Sequence, residues 1–127
     1  GGGTVTVTNS ILWGNGDDVV GTVGLGYCDV EDGDSIGSGG CFSADPLFLD
    51  RAHYHVKSRA KCYSGGYFSG GTWVKANENS PCIDAGDPAS QYSRETYLNG
   101  SRINVGYDGN TPVASRSSIV GTILTVR

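Results

Sequence analysis

The chain is 127 residues long, enough for one domain with a modest core and too short for two independent ones. Nine basic against thirteen acidic residues leave a formal charge of −4, which argues against a nucleic-acid partner, since phosphates are held by a positive field. Twenty-one glycines, no methionine and 37% hydrophobic residues point away from a helical bundle and toward short strands joined by tight turns, and the glycines follow no collagen period.

Residues 4–8 alternate Thr and Val, so Val5 and Val7 share one face of a half-buried strand and the threonines share the other. Asn9 and Ser10 interrupt the pattern, Ile11, Leu12 and Trp13 resume it, and residues 14–18 turn the chain. The same order of events returns at Val23 and Leu25, continues through Tyr27, Cys28, Asp29 and Val30, and ends in a loop rich in Gly and Asp over residues 31–40. Two strand pairs offset by about eighteen or nineteen residues read as successive coils of a solenoid. Asp45-Pro46 then leads into Leu47, Phe48 and Leu49, where the proline belongs at a strand start or corner because it has no ladder donor. Residues 54–57 form a further short extended candidate.

Gly65, Gly66, Gly70 and Gly71 punctuate a hairpin-like insertion around Tyr67 and Phe68, followed by Thr72, Trp73 and Val74. Residues 80–84 read as a short buried strand ended by Gly86, Asp87 and Pro88. Residues 89–100 are polar, residues 102–105 suggest one more strand, and the apolar stretch with Ile119, Val120, Ile123, Leu124 and Val126 is expected to pack on the body or pair with an edge. No window offers a long helix. No apolar run approaches a bilayer span, and no signal peptide is recognisable from Gly1, so any such signal is expected upstream or removed.

Cys28, Cys41, Cys62 and Cys82 are an even set with wide, unequal spacing, which suits disulfides in an oxidising compartment better than a paired metal site. Three connectivities are open. Sequential pairing, Cys28 with Cys41 and Cys62 with Cys82, closes the shortest loops, and free buried thiols are the alternative.

Several segments in this order resemble one family: TNSILWGN at residues 8–15, YCDVEDG at 27–33, ADPLFLD at 44–50, YHVK at 54–57, GTWV at 71–74, SPCIDAGDP at 80–88 and GSRINVGYDGNT at 100–111. They are similar to the last coils and closing cap of large secreted bacterial proteins of the pectin-lyase-like type. The resemblance implies an all-β fold, a right-handed parallel β-helix fragment with a C-terminal cap over residues 1–115, and a final strand, tail or linker to a missing module over 116–127. The chain departs from that pattern at Gly106-Tyr107-Asp108-Gly109, where relatives read closer to GAYG. The function it implies is structural: a secreted or cell-surface terminal domain partnered by upstream coils. An open ladder end would then self-associate into oligomers or fibres by strand addition, with Thr4, Val5, Val7, Ile119, Val120, Ile123, Leu124 and Val126 as the assembly segments.

Individual residues offer competing chemistry. Asp29, Glu31, Asp32 and Asp34 could supply carboxylate oxygens to calcium, the one cofactor suggested, although their spacing is not that of an EF-hand and a solvated acidic turn is the favoured reading. Asp84, Gly86 and Asp87 read as a structural turn, with the Asp84 carboxylate accepting backbone N–H bonds at a corner. His53 and His55 share a strand face but lack a third metal ligand. Asp29, Asp45, Asp50, Arg51 and Lys57 are residue types used by polysaccharide lyases and glycoside hydrolases, whose active site here would lie mainly upstream; no complete catalytic centre is present and no enzyme is expected. The remaining alternative is a carbohydrate-binding module for extracellular polysaccharide, with Trp13, Tyr63, Tyr67, Trp73 and Tyr97 as flat faces for sugar rings.

Overall fold

The alternating Val and Thr of the first segment form β1 (Val5–Thr8), and β2 (Ile11–Leu12) follows after a corner at Asn9. β3 (Val23–Gly26) and β4 (Asp29–Val30) repeat the arrangement around Tyr27. β5 (Cys62–Ser64) and β6 (Thr72–Val74) complete the strands of this computed structural model, which describes residues 5–14, 23–33, 37–96 and 99–117. β1 pairs in parallel with β3, placing Val5 opposite Val23 and Val7 opposite Leu25, and β2 pairs in parallel with β4. Both corners are held in the left-handed region, Asn9 at φ 55° and Tyr27 at φ 52°. That conformation suits the short polar Asn and is costly for Tyr.

The repeat stops there, and the β-helix reading is overturned. Among the described residues the strands form three separate two-stranded sheets, none closed or curled. A third rung is reduced to one parallel bridge, Asp29 to Phe42, after which Pro46, without an N–H, and left-handed Leu47 (φ 56°) turn the chain. The chain comes back on itself: Phe48 and Val56 make an antiparallel bridge, flanked by Leu49 N–H donating to the His55 carbonyl at 2.7 Å and Lys57 N–H to the Leu47 carbonyl at 2.8 Å. A reversal of direction cannot extend a parallel coil. The resemblance to pectin-lyase-like proteins therefore does not reach the fold. With it go the terminal-cap function, upstream coils as partners and self-assembly through open solenoid ends. Of the assembly segments, Val7 packs on the core and Val5 stands exposed at the head of β1, while Thr4, Ile119, Val120, Ile123, Leu124 and Val126 lie outside the described residues.

β5 and β6 form the glycine-punctuated hairpin, with Tyr63 opposite Trp73. The strands expected at 80–84 and 102–105 are instead turns and irregular chain, yet they exchange ladder-like bonds: Val105 N–H donates to the Cys82 carbonyl and Gly86 N–H to the Ile103 carbonyl, both at 2.9 Å.

Among the described residues, two small apolar clusters result. Cys28, Val30 and Cys41 gather Val7, Leu12 and Leu25, whereas Val56, Cys82 and Val105 gather Ile11, Phe42, Phe48, Ile83 and Ala85. So little apolar mass leaves much of the interior to hydrogen-bonded polar groups, among them Asp29, His55, Ser58, Glu95, Asn104, Asp108, Ser115 and Ser117. Asn9 binds the N-terminal layer to the C-terminal turns: its Oδ1 accepts Asp87 N–H at 2.7 Å, its Nδ2 donates to Ser90 Oγ, and its carbonyl accepts Gly106 N–H. No helix among the described residues is long and apolar enough to cross a membrane.

Candidate functional site: an aromatic-walled pocket

Where β2 meets the 47–57 reversal and the turn at Tyr107, the surface opens into a cavity of about 400 Å³ lined by Ser10, Ile11, Trp13, Phe48, Tyr54 and Tyr107. β2 and its flanks supply one wall. The antiparallel bridge supplies the second, where Phe48 and Tyr54 meet edge to face at 5.2 Å. Tyr107 forms the third and leans on a further aromatic pair outside the cavity, Phe68 at 5.5 Å and Tyr67 at 6.1 Å. Tyr54, Tyr67, Phe68 and Tyr107 are all 44–56% exposed, a concentration of aromatic surface that water alone does not favour.

The phenols are fixed by a small turn. Asp50 Oδ1 accepts the N–H groups of His53 and Ala52 at 2.7 and 2.8 Å, which holds its carboxyl below the usual carboxylate range and shapes the turn. The exposed carbonyls of that turn are then taken: Tyr107 donates to the His53 carbonyl and Tyr67 to the Ala52 carbonyl, each at 2.7 Å. Burial, and then the nearby Asp108 carboxylate, push the Tyr107 phenol well above its ordinary value, so it stays a donor.

Behind Tyr107 lies His55, 1% exposed. Its Nδ1 is 2.6 Å from Asp108 Oδ2, and its Nε2 lies 2.9 Å from the carbonyls of both Gly66 and Tyr67 and 3.0 Å from the Tyr107 hydroxyl. The pocket itself is lined by Ser10 and two tyrosines among aromatic and aliphatic groups, with the Ser10 hydroxyl donating to the Thr8 carbonyl. Such a lining offers stacking faces and a hydrogen-bonding rim.

Of the proposed sugar-stacking residues, the structure brings Trp13 into the pocket and Tyr67 to its edge. Tyr63 is instead buried, and half-buried Trp73 packs between the Tyr63 ring and the Arg116 guanidinium. Tyr97 lies outside the described residues. Phe48, Tyr54 and Tyr107 complete the walls and were not singled out by sequence. Their signal is the two left-handed corners at Leu47 and Tyr54, which nothing in an unaligned sequence marks.

The acidic set does not converge. Asp29 is fully buried and accepts Ala44 N–H and the Cys82 thiol; burial pushes its carboxyl up, opposed by those two bonds. Glu31 faces outward and accepts Gly14 N–H, Asp32 is exposed, and Asp34 lies outside the described residues. Among the described residues no three His, Cys, Asp or Glu side chains are placed to hold a metal ion. His53 and His55 engage different carboxylates, Asp50 and Asp108. In the turn, Asp84 (φ 59°) accepts a Ser117 hydroxyl rather than the expected backbone N–H, and Asp87 accepts Ala89 N–H.

All four cysteines are buried free thiols. Cys28 and Cys41 share the first cluster. Cys62 donates instead to the Ser58 and Val74 carbonyls and Cys82 to Asp29, so the structure gives the pairing of Cys62 with Cys82 no support. Burial raises the Cys28, Cys62 and Cys82 thiols above their ordinary value. Ellman's reagent at neutral pH is expected to leave the native protein unlabelled and to report four thiols on unfolding; rapid labelling of the folded chain would contradict this burial.

No curated protein and no solved structure matches this chain. A family model described as "Disaggregatase related" matches residues 4–86, which include five of the six pocket residues and all four cysteines. Because that match spans well over half of its length, the chain belongs to the disaggregatase-related family.

Proposed function

We propose that this chain is a non-catalytic binding module whose pocket receives a sugar ring. The observation that carries the reading is the joining of Trp13, Phe48, Tyr54 and Tyr107 around one open cavity of about 400 Å³, with Ser10 at its wall. Pyranose rings present apolar C–H faces and a polar rim, and aromatic walls beside a hydroxyl complement both. Among the described residues, none that lines the pocket carries a carboxylate, imidazole, amine or guanidinium, the groups that move protons in glycoside chemistry.

Isothermal titration with a panel of pyranose mono- and oligosaccharides tests the proposal. Stacking on a few rings supports a Kd on the order of 1 mM, and Trp13→Ala is expected to weaken it by about tenfold while leaving the fold intact. Absence of saturable binding across the panel, or equal affinity in the Trp13→Ala variant, would sink it.

A further inference from the structure

We propose that His55 is a positioning residue held as an imidazolium, which clamps Tyr107 and the Gly66-Tyr67 turn in place, so that the aromatic wall loosens and sugar affinity falls as pH rises. The ligand part rests on the function proposed above; the clamp itself does not.

Donors and acceptors decide the state of the ring. A neutral imidazole has one N–H and one bare nitrogen, whereas the imidazolium has two N–H groups. Both nitrogens of His55 face acceptors: the Asp108 carboxylate on one side, the Gly66 and Tyr67 carbonyls on the other. The Tyr107 hydroxyl is an acceptor too, because its own proton goes to the His53 carbonyl. Either neutral tautomer therefore sets a bare nitrogen against oxygen lone pairs, stranding either a buried carboxylate or two carbonyls.

Among the described residues, the groups facing this ring are few. Asp108 and Tyr107 come from the C-terminal turn, the two carbonyls from the hairpin loop, and the Tyr63 ring from β5, 5.5 Å away. Glu95 and Cys82 reach His55 through their coupling to Asp108. Burial by itself pushes His55 down, but the hydrogen bond and charge of Asp108, with the two carbonyls, outweigh it and leave the ring above its ordinary value.

The direction of the response follows. Because the folded value is raised, the clamp is fully present below the ordinary histidine range and is lost as pH rises through the folded value. A neutral ring finds a donor for its bare Nε2 only if the Tyr107 O–H, whose oxygen is already 3.0 Å away, turns off the His53 carbonyl. The bond that ties Tyr107, a wall of the pocket, to the 50–53 turn is then lost.

Nitrogen-detected NMR of the full chain reads the ring directly. The expected result is a His55 imidazolium at neutral pH, converting at higher pH with one midpoint shared by the His55 nitrogens and the Tyr107 ring signals. Sugar affinity is expected to drop by about tenfold over the same interval, the worth of one stacked ring. Asp108→Asn should move the shared midpoint downward. A neutral His55 at neutral pH overturns the proposal, as does a His55 titration that leaves Tyr107 unmoved; both tests need only the wild-type protein. If no sugar binds but the two residues titrate together, the clamp stands and the sugar reading of the pocket falls.

Discussion

The melting temperature is expected to fall on the order of 10 °C between about pH 5 and about pH 8, and Glu95→Gln is expected to remove most of that fall. Glu95 is 4% exposed, and its Oε2 accepts the N–H groups of Asn104 and Asn110 at 2.8 and 2.9 Å, while its Oε1 has no partner. Burial pushes its carboxyl from 4.5 up to about 7, against the help of those two N–H bonds; Asp84 and Asp108 add to the rise. A raised folded value means that the folded chain holds the proton more tightly than the unfolded chain. Its contribution is fully present below about 4.5 and lost as pH rises through about 7, roughly 3 kcal/mol in all. Asp29 and Asp84, both raised by burial, act in the same direction, and the raised His55 also loses its contribution as pH rises. Asp50, lowered by its N–H bonds, acts oppositely and loses its contribution in acid. Glutamine keeps an acceptor for both backbone N–H groups without a charge to desolvate, so a variant that retains the full wild-type slope would place the titration elsewhere.

Gly86→Ala is expected to cost about 3 kcal/mol in urea denaturation, whereas Gly24→Ala should stay within roughly 0.5 kcal/mol of wild type. Gly86 is buried where the C-terminal turns cross the Asn9 corner. A Cβ there would overlap Ile103 Cγ2 and lie only 2.8 Å from Asn9 Oδ1 and 3.0 Å from the Ile103 carbonyl. The backbone of Gly86 is not left-handed, so the effect is one of space alone. Relief by moving Asn9 would disturb the bond that its Oδ1 accepts from Asp87 N–H. Gly24 sits in β3, where an added Cβ would meet its nearest neighbour, Thr6 Oγ1, at 3.7 Å, an ordinary contact. A strand residue with a side chain also gives up less conformational freedom on folding than glycine does. Equal costs at the two sites would discredit the packing account.

What could be read from sequence divides along the same physical lines. Alternation at residues 5–8 and 23–26 and the glycine pairs around Tyr67 are local patterns, and local pairing followed from them: an eighteen-residue register between β1 and β3, and the hairpin of β5 and β6. Whether a third turn continues in the same direction is not a local property. It was decided at Leu47 and Tyr54, two left-handed residues of types that give no hint of that conformation. For the pocket, Trp13 could be named because large aromatics are scarce, but residue type carries no direction: Tyr67 stands beside the cavity, and Tyr63 and Trp73 turn inward or sideways. Asp29 likewise reads as a solvated acid and is instead buried. The run Gly106-Tyr107-Asp108-Gly109, the one place where the sequence departed from the pattern it resembles, supplies both the third wall of the pocket and the carboxylate beneath it.

The family match ends at Gly86, but the molecule has no seam there. Asp87 donates to Asn9, Val105 donates to Cys82 and belongs to the second cluster, Arg116 donates to Lys61, and Ser115 and Asp108 reach back to Val56 and His55. A polypeptide cut at the end of the match would leave a buried histidine without its counter-ion, carbonyls without donors and half an apolar cluster facing water. The segment by which the family is recognised is thus a unit of descent and not a unit of folding, and residues beyond Gly86 set the stability of the residues before it.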